Sequence, residues 1–344
     1  MNKKIKVRML SLSDIVKGQG VSSAFHEQVN LVSNSKMLEI KINQKFKDAD
    51  IVHHHTVDPK NYFTMFKKKY SHVAYVHMLA EKLDGSIKLN PIIYKIFQKY
   101  THSFYRKADH LVIVNPNTKE LLLSYGIAED KIHYIPNYVS EEQFFVVDEK
   151  MRDAYKDKYE FSKTKKTVLA VGQVLIGKGV EDFIKSAINN PSIDYVWAGG
   201  FSFGKLTDGY DQLKEYFDNP PKNVRFLDVV ERDLMNEVYN AADILFMPSY
   251  NEMFPMTILE AINTNKPLVI RDLSLYEDIL FDHYRPCAGL VDFDDEINQL
   301  VSDDQYFLNS VEKSIVLKNY YSKPYILNMW EEFYQHVVDQ KEGE

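Results

Sequence analysis

Two glutamates eight positions apart, Glu252 and Glu260, stand in SYNEMFPMTILEA, directly after the apolar run ILFMPS. A helix that opens at Pro255 or Met256 puts proline where a first turn tolerates it. The backbone N–H groups of Met256 and Thr257 then lie outside the helical ladder and can hold an anion. Carboxylates accept hydrogen bonds from sugar hydroxyls, so a pair bracketing an anion site suits a sugar–diphosphate. The competing reading makes Glu260 a helix-face residue and Glu252 a partner of the helix dipole. A second candidate is VGQVLIGKGVEDF, where a strand ends at Gly172 and a loop carries Gly177, Lys178 and Gly179 into a helix. Glycines admit phosphate close to the backbone, and Lys178 offers a compact positive charge to a departing diphosphate. The GxxxxGK[ST] pattern of a P-loop is absent. Taken by itself, GKG also describes a solvated loop.

The elements that must carry these residues alternate. IKVRMLSL, MLEIKIN, ADIVHHH, SHVAYVHM, HLVIVN and KIHYIPN read as strands, with helical spacing in VSSAFHEQVNLVSNS, from Pro91 to Lys107, and in TKELLLSYG. The charge-dense stretch 140–166 reads as a linker. A second alternation runs from TVLAVGQV to PLVIR. The expected fold is α/β, two doubly wound Rossmann-like domains facing across a cleft, with ligands beyond the carboxyl ends of the strands. The expected boundaries are 1–150 for an acceptor- and membrane-facing domain and 151–322 for a nucleotide-sugar domain. A final helix, 323–344, is expected to pack back toward the first domain.

The two motifs in this order, with IPN before the linker and AADILFMPS before Glu252, resemble the family 4 retaining glycosyltransferases of the GT-B fold. The resemblance is clearest from about residue 167 to 265. It implies that Glu252 meets the donor sugar and Glu260 the nucleotide ribose. Backbone from Phe254 through Pro255 and Met256 to Thr257 would contact sugar and phosphate, and Lys178 would bind the diphosphate. The family usually has arginine directly after the glycine that ends the preceding strand; this chain has Gln173 there, so one charge of the phosphate clamp is missing. The loop DIVKGQGVSSAF, with Gly18 and Gly20, resembles the glycine loop that approaches donor phosphates and acceptor. In related enzymes a histidine at the place of His77, where VAYVHM ends, lies beside the donor sugar. KGQGV and GQV…KGVEDF look more particularly like bacterial glycolipid synthases that add a second hexose to monoglycosyl-diacylglycerol. The implied reaction is transfer of glucose or galactose from a UDP-sugar with retained anomeric configuration. UDP-sugar is the co-substrate, with no further cofactor and no metal.

His53, His54 and His55 are adjacent, and neighbours on a strand point to opposite faces, so they do not chelate together. His55 is expected near the acceptor. Asp292, Asp294 and Asp295 mimic a metal motif but read as a solvated turn, and Cys287, the sole cysteine, reads as a buried small residue.

Charge is uneven. Residues 1–150 carry 22 Lys and Arg against 16 Asp and Glu, a net of +6; the remainder carries 20 against 33, a net of −13, within −7 overall. A basic half suggests an anionic partner. NYFTMFKKKYSH sets Phe63 and Phe66 beside Lys67, Lys68 and Lys69. NPIIYKIFQKYTHSFYRK sets Ile92, Ile93, Ile96, Phe97, Tyr100 and Phe104 on one stripe flanked by Lys95 and Lys99. Both patterns describe an interfacial segment on an anionic membrane, although such a stripe also packs on sheets. No run reaches the roughly 20 apolar residues of a membrane span, and MNKKIKVRMLSLSD reads as a first strand. The expected location is the cytoplasm, peripheral on the inner membrane face. The rival reading within transferases is synthesis of capsular or other surface polysaccharide. Nucleic-acid binding lacks any module, and an oxidoreductase would need a GxGxxG after a strand, which is absent.

Overall fold

In the computed structural model, residues 3–12, 20–82, 90–202, 204–207 and 209–343 are described. Short aliphatic runs form two sheets. The first holds β1 (Ile5–Leu10), β2 (Leu38–Ile42), β3 (Ile51–His54), β4 (Ser71–Val76), β5 (His110–Ile113) and β6 (Ile132–Tyr134), in the order β2-β1-β3-β4-β5-β6. The second holds β7 (Thr167–Val171), β8 (Asp194–Ala198), β9 (Val224–Phe226), β10 (Ile244–Met247), β11 (Leu268–Arg271) and β12 (Arg285–Cys287), in the order β12-β11-β10-β7-β8-β9. Every paired strand in both sheets is parallel. β4 is buried at all six positions and β10 at all four, because helices cover both faces of a parallel sheet.

The helices are α1 (Gly20–Ser33), α2 (Pro59–Tyr62), α3 (Pro91–Lys107), α4 (Lys119–Ser124), α5 (Glu149–Lys158), α6 (Val180–Asn189) and α7 (Tyr210–Asp218). They continue with α8 (Arg232–Ala241), α9 (Met256–Asn263), α10 (Glu277–Leu280), α11 (Leu290–Ser302), α12 (Asp304–Tyr320) and α13 (Lys323–Glu342). α3 matches its expected limits for local reasons. Asn90 caps it by accepting from Ile92 N at 2.9 Å, Pro91 fills the first turn, and Arg106 and Lys107 close it.

The chain divides into two compact units. The first takes the described residues up to Tyr138 and those from Tyr321 onward; the second is Val139–Tyr320. The expected boundary at 150 therefore moves to 138, because the stretch after Val139 is stitched to α8. Phe145 N donates to Asn236 Oδ1 at 3.0 Å, Val147 N to Asn240 Oδ1 at 3.1 Å, and Phe144 is fully buried beside Tyr239. Inside the expected linker, α5 forms under an Asp148 cap and packs on α8. α13 belongs to the first unit. Its stripe Ile326, Trp330, Phe333, Tyr334 and Val337 is buried toward α1, β1, β3 and β4, and Tyr334 OH lies 2.8 Å from His53 Nδ1. The Asp292 cluster is not a turn: it lies in α11, where Asp292 Oδ2 accepts from Ala288 N and Asp294 from Asn189 and Asn190. Cys287 is fully buried, and burial pushes its thiol up to about 12.

Candidate functional site

In the second sheet the strand order reverses between β7 and β10. In open α/β sheets ligands bind at the carboxyl ends of the strands beside such a reversal. Both chemical motifs lie in the loops that follow those two strands. The loop after β7 needs its glycines. Gly179 has φ +74°, and a Cβ there would stand 2.3 Å from Pro248 O, so the two loops meet backbone to backbone. Tyr250 N donates to Gly177 O at 2.9 Å and ties them together. The aliphatic stem of Lys178 runs over Gly172.

Lys178 Nζ consequently reaches Glu252 Oε1 at 2.5 Å, with side-chain exposures of 29% and 9%. This pair joins the two motifs across the switch point. Beneath it, Arg271 donates from Nε to Pro248 O at 2.9 Å, pairs with Asp182 and lies 4.0 Å from the Tyr250 ring. Tyr250 OH donates to the same Asp182 at 2.7 Å. Tyr276 is fully buried near Glu252; burial and that negative charge push its phenol well up.

α9 opens at Met256 with Pro255 as its cap residue. The Met256 and Thr257 amides lie outside its own hydrogen-bond ladder. Phe254, Pro255 and Met256 are buried and Thr257 half-buried, and Gln173 is half-buried in the opposing loop. Glu260, one turn into α9, is buried with both oxygens occupied. Oε1 accepts from Arg232 Nη1 at 2.7 Å and Oε2 from Tyr239 OH at 2.8 Å. Sequence reasoning missed Arg232, Tyr239, Arg271 and Asp182. Only the seven-residue spacing of Arg232 and Tyr239 on α8 hinted at a shared face.

In the first unit, His77 follows β4 directly and His55 follows β3. Their rings stack with centroids 5.8 Å apart. Neither nitrogen of His55, nor Nε2 of His77, has a hydrogen-bond partner among the described residues. Burial drives His77 down to about 3 and His55 well below the usual imidazole range, where charges on His53 and His77 add to the effect. His53 contacts Tyr334, whereas His54 turns to His72 at 3.3 Å, so the triplet alternates sides as strand geometry requires. Among the described residues no group of three or more His, Cys, Asp or Glu is arranged to hold a metal ion. Gly18 lies outside the described residues. Gly20 is the first residue of α1, and a Cβ there would meet nothing within 4 Å, so no crowding requires glycine at that position.

The apolar stripe on α3 divides into two faces. Thr101, Phe104 and Tyr105 are buried, whereas Ile92, Ile93 and Ile96 are 70%, 56% and 64% exposed. Phe63 and Phe66 are 70% and 57% exposed, with Lys67, Lys68, Lys69, Lys95 and Lys99 exposed around them. Tyr62 OH lies 2.9 Å from Ser103 Oγ and Lys107 sits 4.7 Å from the Phe66 ring, so the two apolar groups share α3. No helix among the described residues is long and apolar enough to cross a membrane.

Comparison with known proteins agrees with this architecture. The Glycosyltransferase Family 4 profile matches residues 26–143, and the Glycosyl transferases group 1 profile matches residues 151–320. The alpha-galactosylglucosyldiacylglycerol synthase of Streptococcus pneumoniae is 38% identical over 97% of this chain and 90% of its own length. The processive diacylglycerol alpha-glucosyltransferase of Acholeplasma laidlawii is 25% identical over 85% of this chain and 86% of its own. The crystal structure of Anabaena HepE in complex with UDP-glucose superimposes with a TM-score of 0.75 at 12% identity, over 98% of this chain and all of that one. With two sheets of this order, both profiles in sequence and a full-length relative at 38%, the chain belongs to the group 1/family 4 glycosyltransferases of the GT-B fold.

Proposed function

We propose that this enzyme transfers glucose or galactose from a UDP-sugar to a monoglycosyl-diacylglycerol, giving a diglycosyl-diacylglycerol. The observation that carries the reaction class is the Lys178–Glu252 pair at the β7/β10 switch point, beside the opening of α9. It brings an ammonium together with a carboxylate that can accept from sugar hydroxyls, in the loops that lead to the first amides of α9. The acceptor class is supported by the relatives, which are named for diacylglycerol glycolipids. In this reading Lys178 and the Met256 and Thr257 amides neutralise the diphosphate as the bond from the sugar C1 to its phosphate oxygen breaks. The acceptor hydroxyl attacks C1 on the same face, and its proton passes to a departing phosphate oxygen. Configuration is retained without a protein nucleophile. Glu252 receives donor-sugar hydroxyls, Glu260 the ribose, and the backbone from Phe254 to Thr257 lines sugar and phosphate. His77 stands beside the donor sugar and His55 on the acceptor side. Charge neutralisation rests on the lysine and the amides, so no step is assigned to a metal or a further cofactor.

The enzyme works in this proposal as a peripheral protein on the cytoplasmic membrane face. Ile92, Ile93, Ile96, Phe63 and Phe66 enter the interface, and the surrounding lysines meet anionic headgroups. Incubation with a panel of nucleotide-hexoses and glycolipid acceptors, followed by product mass and linkage analysis, tests the proposal. Transfer to polyprenyl-linked sugar but not to monoglycosyl-diacylglycerol would move the enzyme to surface-polysaccharide synthesis.

A further inference from the structure

Glu260 is a buried carboxylate with one donor on each oxygen, and both donors come from a single helix. Arg232 opens α8 and Tyr239 follows seven residues later, two turns along the same face. Arg232 Nη1 reaches Oε1 at 2.7 Å and Tyr239 OH reaches Oε2 at 2.8 Å. The two donors are braced by one ring. Phe144, fully buried, lies edge-on to Tyr239 at 5.8 Å and 5.1 Å from the Arg232 guanidinium carbon. An ionised carboxylate has two acceptor positions per oxygen. Each oxygen is held by one donor, which leaves acceptor capacity on both. That arrangement complements two hydroxyls on adjacent carbons.

The structure assigns Arg232 and Tyr239 as positioning residues that aim Glu260 at a vicinal diol of the donor nucleotide. This rests on the reading that a uridine diphosphate sugar binds at the β7/β10 switch point. Neither residue needs to touch the ligand. Their effect is to hold the carboxylate in one rotamer before the ligand arrives, so that no orientation is lost on binding.

The test is a cycle between protein and ligand. Affinities of UDP and 2′-deoxy-UDP are measured by calorimetry for the wild type, Tyr239→Phe, Arg232→Lys and Arg232→Gln, with a thermal melt of each. Wild type should favour UDP by about tenfold or more, the usual effect of one hydrogen bond to a charged group. Tyr239→Phe and Arg232→Gln should weaken UDP about tenfold and 2′-deoxy-UDP much less, so the preference collapses toward unity. Arg232→Lys, which keeps the charge and one donor, should retain part of it. Equal weakening of both ligands, or an undiminished preference, overturns the assignment and leaves the two residues as packing elements. Should Tyr239→Phe fold poorly, the partly exposed Arg232 carries the test alone. A wild type that binds neither ligand removes the UDP-sugar reading itself, a result distinct from a lost preference.

Discussion

The exposed stripe on α3 allows a membrane prediction with a worked magnitude. Complete burial of an isoleucine from water is worth about 1.5–3 kcal/mol. Ile92, Ile93 and Ile96 each leave roughly six-tenths of their surface accessible, so immersion in the headgroup boundary yields about 1 kcal/mol per side chain. Replacing all three by glutamine, a good helix former, should cost about 3 kcal/mol of membrane affinity, or roughly a hundredfold in partition. Folding should be untouched, because none of the three contributes to the buried face of Thr101, Phe104 and Tyr105. The assay is sedimentation with anionic and neutral vesicles at two salt concentrations. The lysine contribution separates cleanly in the same experiment. Exchanging Lys67, Lys68 and Lys69 for glutamine should remove about 1 kcal/mol each on anionic vesicles, and almost nothing on neutral vesicles or at high salt. The isoleucine defect should persist under all of these conditions. Parent-like partition of the isoleucine variant would refute the reasoning, since the stripe would then contribute no contact with lipid.

Three further outcomes follow from the geometry. Lys178→Ala should lower turnover about a hundred- to a thousandfold, as removal of a charge-stabilising donor does, while its melting curve shifts only slightly; parent-like turnover in a product assay would take the lysine out of the chemistry. Gly179→Ala must adopt φ +74° with Pro248 O at 2.3 Å, so it should cost about 1–3 kcal/mol and displace the neighbouring Lys178; an unchanged urea midpoint would contradict the close approach of the two loops. His54 and His77 are buried neutral, each held down to about 3. Because the unfolded chain binds their protons first, stability is full above about pH 6.5 and drains as pH falls toward 3, by about 1.4 kcal/mol per pH unit for each imidazole. His77→Asn should flatten the fall in urea midpoint between pH 7 and 5, and an equally steep profile in the variant would show that His77 does not contribute to it.

Much of the architecture lies in local pattern. Short aliphatic runs alternating with helical spacing specify eleven of the twelve parallel strands among the described residues, because each run carries its own period and its own stop signals, whereas the three-residue β12, Arg285–Cys287, has no such run and shows itself only by pairing with β11. Asn90, Pro91 and Lys107 bound α3 without help from distant residues. The Lys178 and Glu252 motifs were legible as strand-to-helix turns for the same reason, because the residues that build each turn are neighbours in sequence. What sequence could not supply was anything set by partners far along the chain. The boundary at 138 depends on Asn236 and Asn240 gripping backbone some ninety positions earlier, and no linker composition encodes that. The isoleucine stripe of α3 is one pattern in sequence, and only packing decides that Phe104 goes inward while Ile92, Ile93 and Ile96 remain in solvent. Glu260 makes the same point at the site. Its residue type announces a carboxylate, but its direction is imposed by Arg232 and Tyr239, which the α8–α9 contact brings to it. Chemical identity is carried by the residue, whereas orientation and exposure belong to the packed neighbours.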